Sequence, residues 1–411
     1  MRTLLLIWSD GASLHGPDPA AVRYNGLSAT ETEHWLEQPQ FVATPAPCAF
    51  TLKRLSVRFT AAPGAGKSWT VDVLKNGVAT GIQVVVADAA TTGSDFVNTA
   101  AIAEDDYVCY RVTPSGTPAT AFMGASIEAD AAANTSMILG GIGNAGISDY
   151  GGAGGVFYNV QSTGDEADGG DMNNDSVIRV AGRISNWKLW IGGAPGSGTR
   201  TWQIWVNGAP SGLEIALTGA TTSGEDATHS VDVVAGDVVT IQLKNTSGPV
   251  SADYAGWGML FEPTTDGECP IMGGTVFGGS NSATRYFGFG GLYAYSSTES
   301  PAQAPVPAGW TFDSAQAKMA TAPGTGKSWT WAWRLNGVDK LTVQIADAAT
   351  EGHDTTNTLA TTVDGDLVSI SQTPAGTPGN FTGRATGCRA VFTEPVVSPS
   401  PMRGAMMAAC A

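Results

Sequence analysis

Pro63-Gly64-Ala65-Gly66-Lys67-Ser68 carries the most suggestive chemistry in the chain. It is glycine-rich and ends in Lys-Ser, the composition of a loop that cradles a phosphate with backbone N–H groups. That chemistry also needs a Gly five residues before Gly66, and a helix whose N-terminus receives the anion. Ala61 stands at the first place, and Thr321 stands at its counterpart before Pro323-Gly324-Thr325-Gly326-Lys327-Ser328. An alternating, strand-like segment comes after each. A third copy, Pro195-Gly196-Ser197-Gly198, continues as Thr199-Arg200 with no lysine. These segments are expected to be β-turns, with Pro63, Gly64, Gly66, Pro195, Gly196, Gly198, Pro323, Gly324 and Gly326 as structural turn residues.

A second cluster offers hard oxygen ligands: Asp165, Glu166, Asp168, Asp171 and Asp175 with Asn173 and Asn174. Calcium takes such oxygens, but the spacing is not that of a helix–loop–helix calcium loop, so a solvated acidic loop is expected and no metal or other cofactor. His15, His34, His229 and His353 have no metal-ligand spacing, and no serine sits in a nucleophile elbow. Cys48, Cys109, Cys269, Cys388 and Cys410 are odd in number and lack CxxC spacing, so they read as small apolar side chains rather than a disulfide framework. With carboxylates spread over an acidic surface, no catalytic pair stands out and no enzyme is expected.

The twelve tryptophans could stack on sugars. Trp69, Trp202, Trp329, Trp331 and Trp333, however, run in phase with aliphatic neighbours and are expected in the core. Trp190 and Trp205 fall on the opposite phase, where Arg58 and Asp72 stand in the first copy. These two are the candidates for an exposed surface or a contact between modules.

What must position these residues is a repeat of about 130 residues. Each Pro-Gly turn leads to an Asn-Gly turn, at Asn76-Gly77, Asn207-Gly208 and Asn336-Gly337. The segment Ala87-Asp88-Ala89-Ala90-Thr91-Thr92-Gly93-Ser94-Asp95 is answered by Ala346 to Asp354 and, more loosely, by Gly219 to Asp226. Before each Pro-Gly turn the apolar residues alternate: Leu55, Val57, Phe59; Trp187, Leu189, Ile191; Ala315, Ala317, Met319. After it come Trp69, Val71, Val73; Trp202, Ile204, Val206; Trp329, Trp331, Trp333. Period-2 alternation with turn chemistry between the segments is a β-meander with one buried face. Met259 to Pro263 and Ala390 to Pro395 match as closing strands, and Arg23-Tyr24-Asn25-Gly26 matches Arg285-Tyr286-Phe287-Gly288.

The fold class expected is all-β: three tandem β-sandwich, jelly-roll-like modules over residues 1–130, 131–263 and 264–395, then a short tail, 396–411. No Ser/Pro linker separates the modules, so they should pack closely, either mimicking a trimer or lying as a rod. Met402, Met406 and Met407 in the tail could dock on a neighbouring subunit. The net charge of −16, from 37 acidic and 21 basic residues, argues against nucleic acid as a partner. No stretch approaches the roughly 20 apolar residues of a membrane span. The opening Met1-Arg2-Thr3-Leu4-Leu5-Leu6-Ile7-Trp8 is too short for a signal peptide and reads as a first strand, so the chain is expected to be made in a cytoplasm.

Pro-Gly-x-Gly-Lys-Ser-Trp-Thr, then Asn-Gly-Val, Asp-Ala-Ala-Thr-x-Gly-x-Asp and Thr-Pro-x-Gly-Thr-Pro (Thr113 to Pro118, Thr373 to Pro378) resemble β-sandwich modules in virion proteins of tailed bacteriophages, in tail fibres, head fibres and capsid accessory proteins. The stretch Val231 to Val239 is similar to jelly-roll knobs that trimerise in fibre heads. The resemblance implies a non-enzymatic virion structural protein on a capsid or tail, with other virion proteins, and further copies of itself as a homo-oligomer, as its partners. The alternative is a glycan-binding adhesin or receptor-binding protein facing a host surface glycan.

Overall fold

The computed structural model describes residues 1–8, 16–28, 35–142, 155–161, 168–169, 175–246, 254–275, 280–290, 295–379 and 383–394. The tail methionines, Cys410 and most of the acidic loop lie outside them.

The chain is built of antiparallel strands. The first set is β1 (Arg2–Trp8), β2 (Arg23–Asn25), β3 (Thr44–Pro45), β4 (Phe50–Phe59), β5 (Gly64–Lys75), β6 (Val78–Asp88), β7 (Thr92–Ile102), β8 (Tyr107–Ser115) and β9 (Met123–Ala131). The second is β10 (Ser136–Ile142), β11 (Val156–Tyr158), β12 (Asp168–Gly169), β13 (Ser176–Val177), β14 (Gly182–Ile191), β15 (Gly196–Val206), β16 (Ala209–Gly219), β17 (Ser223–Val233), β18 (Val238–Thr246) and β19 (Ala255–Pro263). The third is β20 (Glu268–Thr275), β21 (Arg285–Phe287), β22 (Ala304–Val306), β23 (Trp310–Met319), β24 (Gly324–Leu335), β25 (Val338–Asp347), β26 (Glu351–Asp354), β27 (Leu359–Ala360), β28 (Asp366–Ala375) and β29 (Arg384–Phe392).

In the first set, a sheet ordered β1-β9-β4-β7 lies over one ordered β2-β8-β5-β6, with β3 beside β8. The second repeats this as β10-β19-β14-β17 over β12-β11-β18-β15-β16, and the third as β20-β29-β23-β26 over β21-β28-β24-β25. Alternating between two sheets in this order is the eight-stranded jelly roll of two Greek keys. Its core is the one the alternation predicts: Leu55, Val57, Phe59, Trp69, Val71 and Val73 are buried, as are Trp187, Trp202, Trp329, Trp331 and Trp333.

Two details depart from a plain alternation. A β-bulge interrupts β4, β14 and β23 at Arg54, Asn186 and Ser314, each with positive φ (54°, 42° and 51°). The extra residue resets the phase, so Phe50 and Leu52 share the inner face with Leu55 and Val57. The closing strands also correspond two residues away from their match in letters. Phe261 pairs with Ile184, whereas Ala390, not Phe392, pairs with the corresponding Phe312.

The Pro-Gly segments are not free β-turns: their glycines open the strands β5, β15 and β24, where the register against β6, β16 and β25 shifts between Gly64 and Ser68, Gly196 and Thr199, and Gly324 and Ser328. Gly64 and Gly66 take positive φ, and the Gly66 N–H donates to the Asp88 carboxylate at 2.7 Å. Gly326 and Asp347 repeat the bond at 2.7 Å. In the second copy Gly219 replaces the aspartate, and the Gly198 N–H donates instead to the Pro195 carbonyl at 3.3 Å. A second brace ties each Asn-Gly turn to the start of β8, β18 or β28. Asn76 donates to Asp106 at 2.6 Å, Asn207 to Asp237 at 2.7 Å, and Asn336 to Asp366 at 2.8 Å.

Candidate interaction site at the module seams

The three jelly rolls close into a ring. Their first strands β1, β10 and β20 all touch one another, and the Thr3 and Ser136 hydroxyls lie 2.9 Å apart there. Side chains on one face of each first strand complete their own core, and those on the other face enter a neighbour's. Leu5 and Ile7 belong to the first module's core, while Leu4 and Leu6 belong to the third's. In the same sense Met137 and Leu139 join the first module's core, and Met272 joins the second's. Head-to-tail contacts that close after three members form a cyclic assembly, here within one chain. The rod arrangement is thereby excluded for the described modules.

The seams are made by equivalent elements. In each, a short strand of one module lies on the last jelly-roll strand of the next: β22 on β9, β3 on β19, β13 on β29. The approach is so close that only glycine fits. A Cβ on Gly124 would lie 2.3 Å from the Gln303 carbonyl oxygen, on Gly258 2.1 Å from that of Pro45, and on Gly387 2.0 Å from that of Val177.

The bulges aim side chains or carbonyls across the same seams. Arg54 donates across its seam to Asp364 at 2.8 Å and, within its own module, to the buried Glu128 at 3.0 Å. Asn186 donates to the Pro47 carbonyl at 2.6 Å and to Glu104 at 2.9 Å. The Ser314 carbonyl accepts from Arg179 Nε at 2.7 Å. Two residues before Trp190, Lys188 is buried yet meets Asp105 at 2.7 Å, Glu225 at 2.8 Å and Glu104 at 3.1 Å. Burial works against its charge, but these three carboxylates outweigh that and hold its pKa above the ordinary lysine range.

Trp190 occupies the position of Arg58 and Lys318, as strand pairing with Gly256, Gly124 and Ala385 shows. In the other seams that position is a cation anchored on the neighbour. Arg58 donates to the Ser300 carbonyl at 2.7 Å and its hydroxyl at 2.8 Å, and Lys318 donates to the Gly236 carbonyl at 3.0 Å. Trp190 instead lines a groove of about 500 Å3 between the first and second modules, with Pro39, Gln40, Ala43, Asn76, Gly77, Tyr107, Cys109, Thr222 and Ser223. Beside it Phe41 stacks on Tyr254 across the seam, with ring centroids 4.2 Å apart. Burial pushes the Cys109 thiol up to about 12, so it is an unreactive floor.

Trp205 lies elsewhere, on the outer face of the β11-β18-β15 sheet. It meets Phe157 edge-on at 5.6 Å, Lys244 sits 5.5 Å from its ring, and its N–H donates to Gln203 at 3.2 Å. The structure does not bring the two tryptophans together.

Of the acidic loop, Asp165, Glu166, Asp171, Asn173 and Asn174 lie outside the described residues, and Asp168 is described only as part of β12. Asp175 departs from the expected solvated loop. It is partly buried, and desolvation pushes its carboxyl up to about 7, against the pull of Lys318. Among the described residues no group of three or more His, Cys, Asp or Glu is placed to hold a metal ion. Cys48, Cys109, Cys269 and Cys388 are free thiols, and Cys48 is the least buried of them.

Residue spacing missed the repeated buried aspartates Asp95, Asp226 and Asp354 as a functional set, although each stands in the repeat motif. Asp226 accepts N–H bonds from Glu214, Thr228 and His229 at 3.0 to 3.1 Å, and Asp354 accepts them from Thr342, Thr356 and Asn357 at 2.8 to 3.1 Å. Burial alone would raise these carboxyls, but the backbone donors overcome it and hold both at about 2. They clasp the bulged strands and are structural.

No family model and no curated protein matches the chain.

Proposed function

We propose that this chain is a non-enzymatic virion structural protein, an exposed component of a phage capsid or tail whose three jelly rolls form a ready-made trimer-like head. The observation that carries the reading is the cyclic exchange of Leu6, Leu139 and Met272 into neighbouring cores. The exchange turns three modules into one rigid body, as a particle component needs. The residues repeated three times support it as well, because they brace turns, clasp strands and close seams. The virion setting itself rests on the resemblance of the turn and strand motifs.

The test is mass spectrometry and immunogold labelling of particles purified from the host that produces the chain. Finding the chain at a fixed copy number, labelled on the particle surface, is the expected result. Its absence from purified particles would overturn the proposal.

A further inference from the structure

We infer that the Trp190 groove is a binding site for an uncharged saccharide. Three observations carry this. The groove lies where one residue differs between the seams: at the equivalent place the other two hold Arg58 or Lys318, bonded to the neighbouring module. Its size of about 500 Å3 suits a di- or trisaccharide, and falls within the ordinary range of small-molecule sites.

Its lining has the chemistry of a sugar-binding surface. Trp190 supplies an aromatic ring for the C–H face of a pyranose, with Pro39 and the buried Ala43 as further apolar surface. Gln40, Tyr107, Thr222 and Ser223 supply amide and hydroxyl groups that can pair with sugar hydroxyls. None of the ten lining residues carries a charge at neutral pH, in a chain of net charge −16. An anionic sugar would find no cation there and would be repelled by the surrounding field. The floor is firm, since Asn76 is tied to Asp106 and to the Tyr107 N–H, at 2.6 and 2.8 Å.

The experiment applies the full chain to an array of neutral trisaccharides built from glucose, N-acetylglucosamine, galactose and mannose, together with sialylated and sulfated counterparts. Titration calorimetry then measures the best binder. Neutral sugars are expected to bind, with Trp190→Ala raising Kd at least tenfold and Trp205→Ala leaving it unchanged. Ser223→Trp, a change at the exposed rim residue that pairs with Trp190 across β14 and β17, fills the groove beside the Trp190 ring and is expected to abolish binding. Near-ultraviolet circular dichroism reports folding of each variant. The inference fails if no neutral sugar is retained, if anionic sugars bind in preference, or if folded Ser223→Trp binds as the parent does.

Discussion

The indole N–H of Trp310 donates to the buried carboxylate of Glu128 at 3.0 Å, joining the third module to the first. Glu128 is fully buried, and burial pushes its pKa up even though Arg54, Trp310 and Arg2 favour the charge. Arg2 in turn reaches Glu394 and stacks its guanidinium 3.7 Å from the Phe392 ring centre. This seam is the one that no direct peptide connection holds. Trp310→Phe keeps a six-membered aromatic ring but removes the indole N–H, one bond to a buried charge, and leaves a small void, so it is expected to cost at least about 1.5–3 kcal/mol. Chemical denaturation against the parent chain measures it, and a change under about 0.5 kcal/mol would show that the bond does not hold the ring closed.

Leu139 sits on a strand of the second module but in the core of the first. Leu139→Ala is expected to destabilise the chain by about 2–5 kcal/mol. The unfolding should remain a single transition, because a weakened first core is shared with its neighbours. A separate low-temperature transition for one module would refute the shared-core account. For the same reason, a peptide of residues 132–263 alone should lack near-ultraviolet dichroism.

Gly258→Ala and Gly387→Ala put a Cβ within about 2 Å of a carbonyl oxygen on the neighbouring module. Each is expected to cost about 1–3 kcal/mol by forcing a seam apart. Gly379→Ala is the matched control, since nothing lies within 4 Å of its Cβ and its φ is not positive. Thermal melts of the three variants should separate the two seam glycines from the control.

Asp226 and Asp354, held at about 2, predict how stability falls in acid. Their folded pKa lies below the unfolded aspartate value of about 3.9, so each stabilises the fold fully above pH 4. That contribution, about 2–3 kcal/mol each, is lost as pH drops from about 4 toward 2. Asp354→Ala should therefore be much less stable than the parent at pH 7, with the gap narrowing toward pH 2. Urea denaturation at both pH values checks it, and a gap independent of pH would contradict the assignment.

Much of each jelly roll was legible because its inner faces alternate on either side of the bulges and its turns spell their own geometry. Leu55, Val57 and Phe59, or Trp329, Trp331 and Trp333, can face only one way. The bulges were not legible, since Arg54, Asn186 and Ser314 share no side-chain type and the bulge acts through backbone conformation. Ring closure left a signal that alternation alone overlooks. Leu4-Leu5-Leu6-Ile7 is apolar at every position, as a strand buried on both faces must be. Trp190 and Trp205 stood out by phase, but only the neighbouring module could reveal that one lines a seam and the other lies on an open sheet face.

Three separate copies exchanging Leu6, Leu139 and Met272 would form an assembly governed by mass action, falling apart on dilution. Tethering them in one chain makes each encounter intramolecular, so the ring should persist at any concentration at which the chain exists. The tether also ends the enforced sameness of a homo-oligomer, where every substitution appears three times. Arg58, Trp190 and Lys318 have used that freedom: one position, three seams and three independent fates.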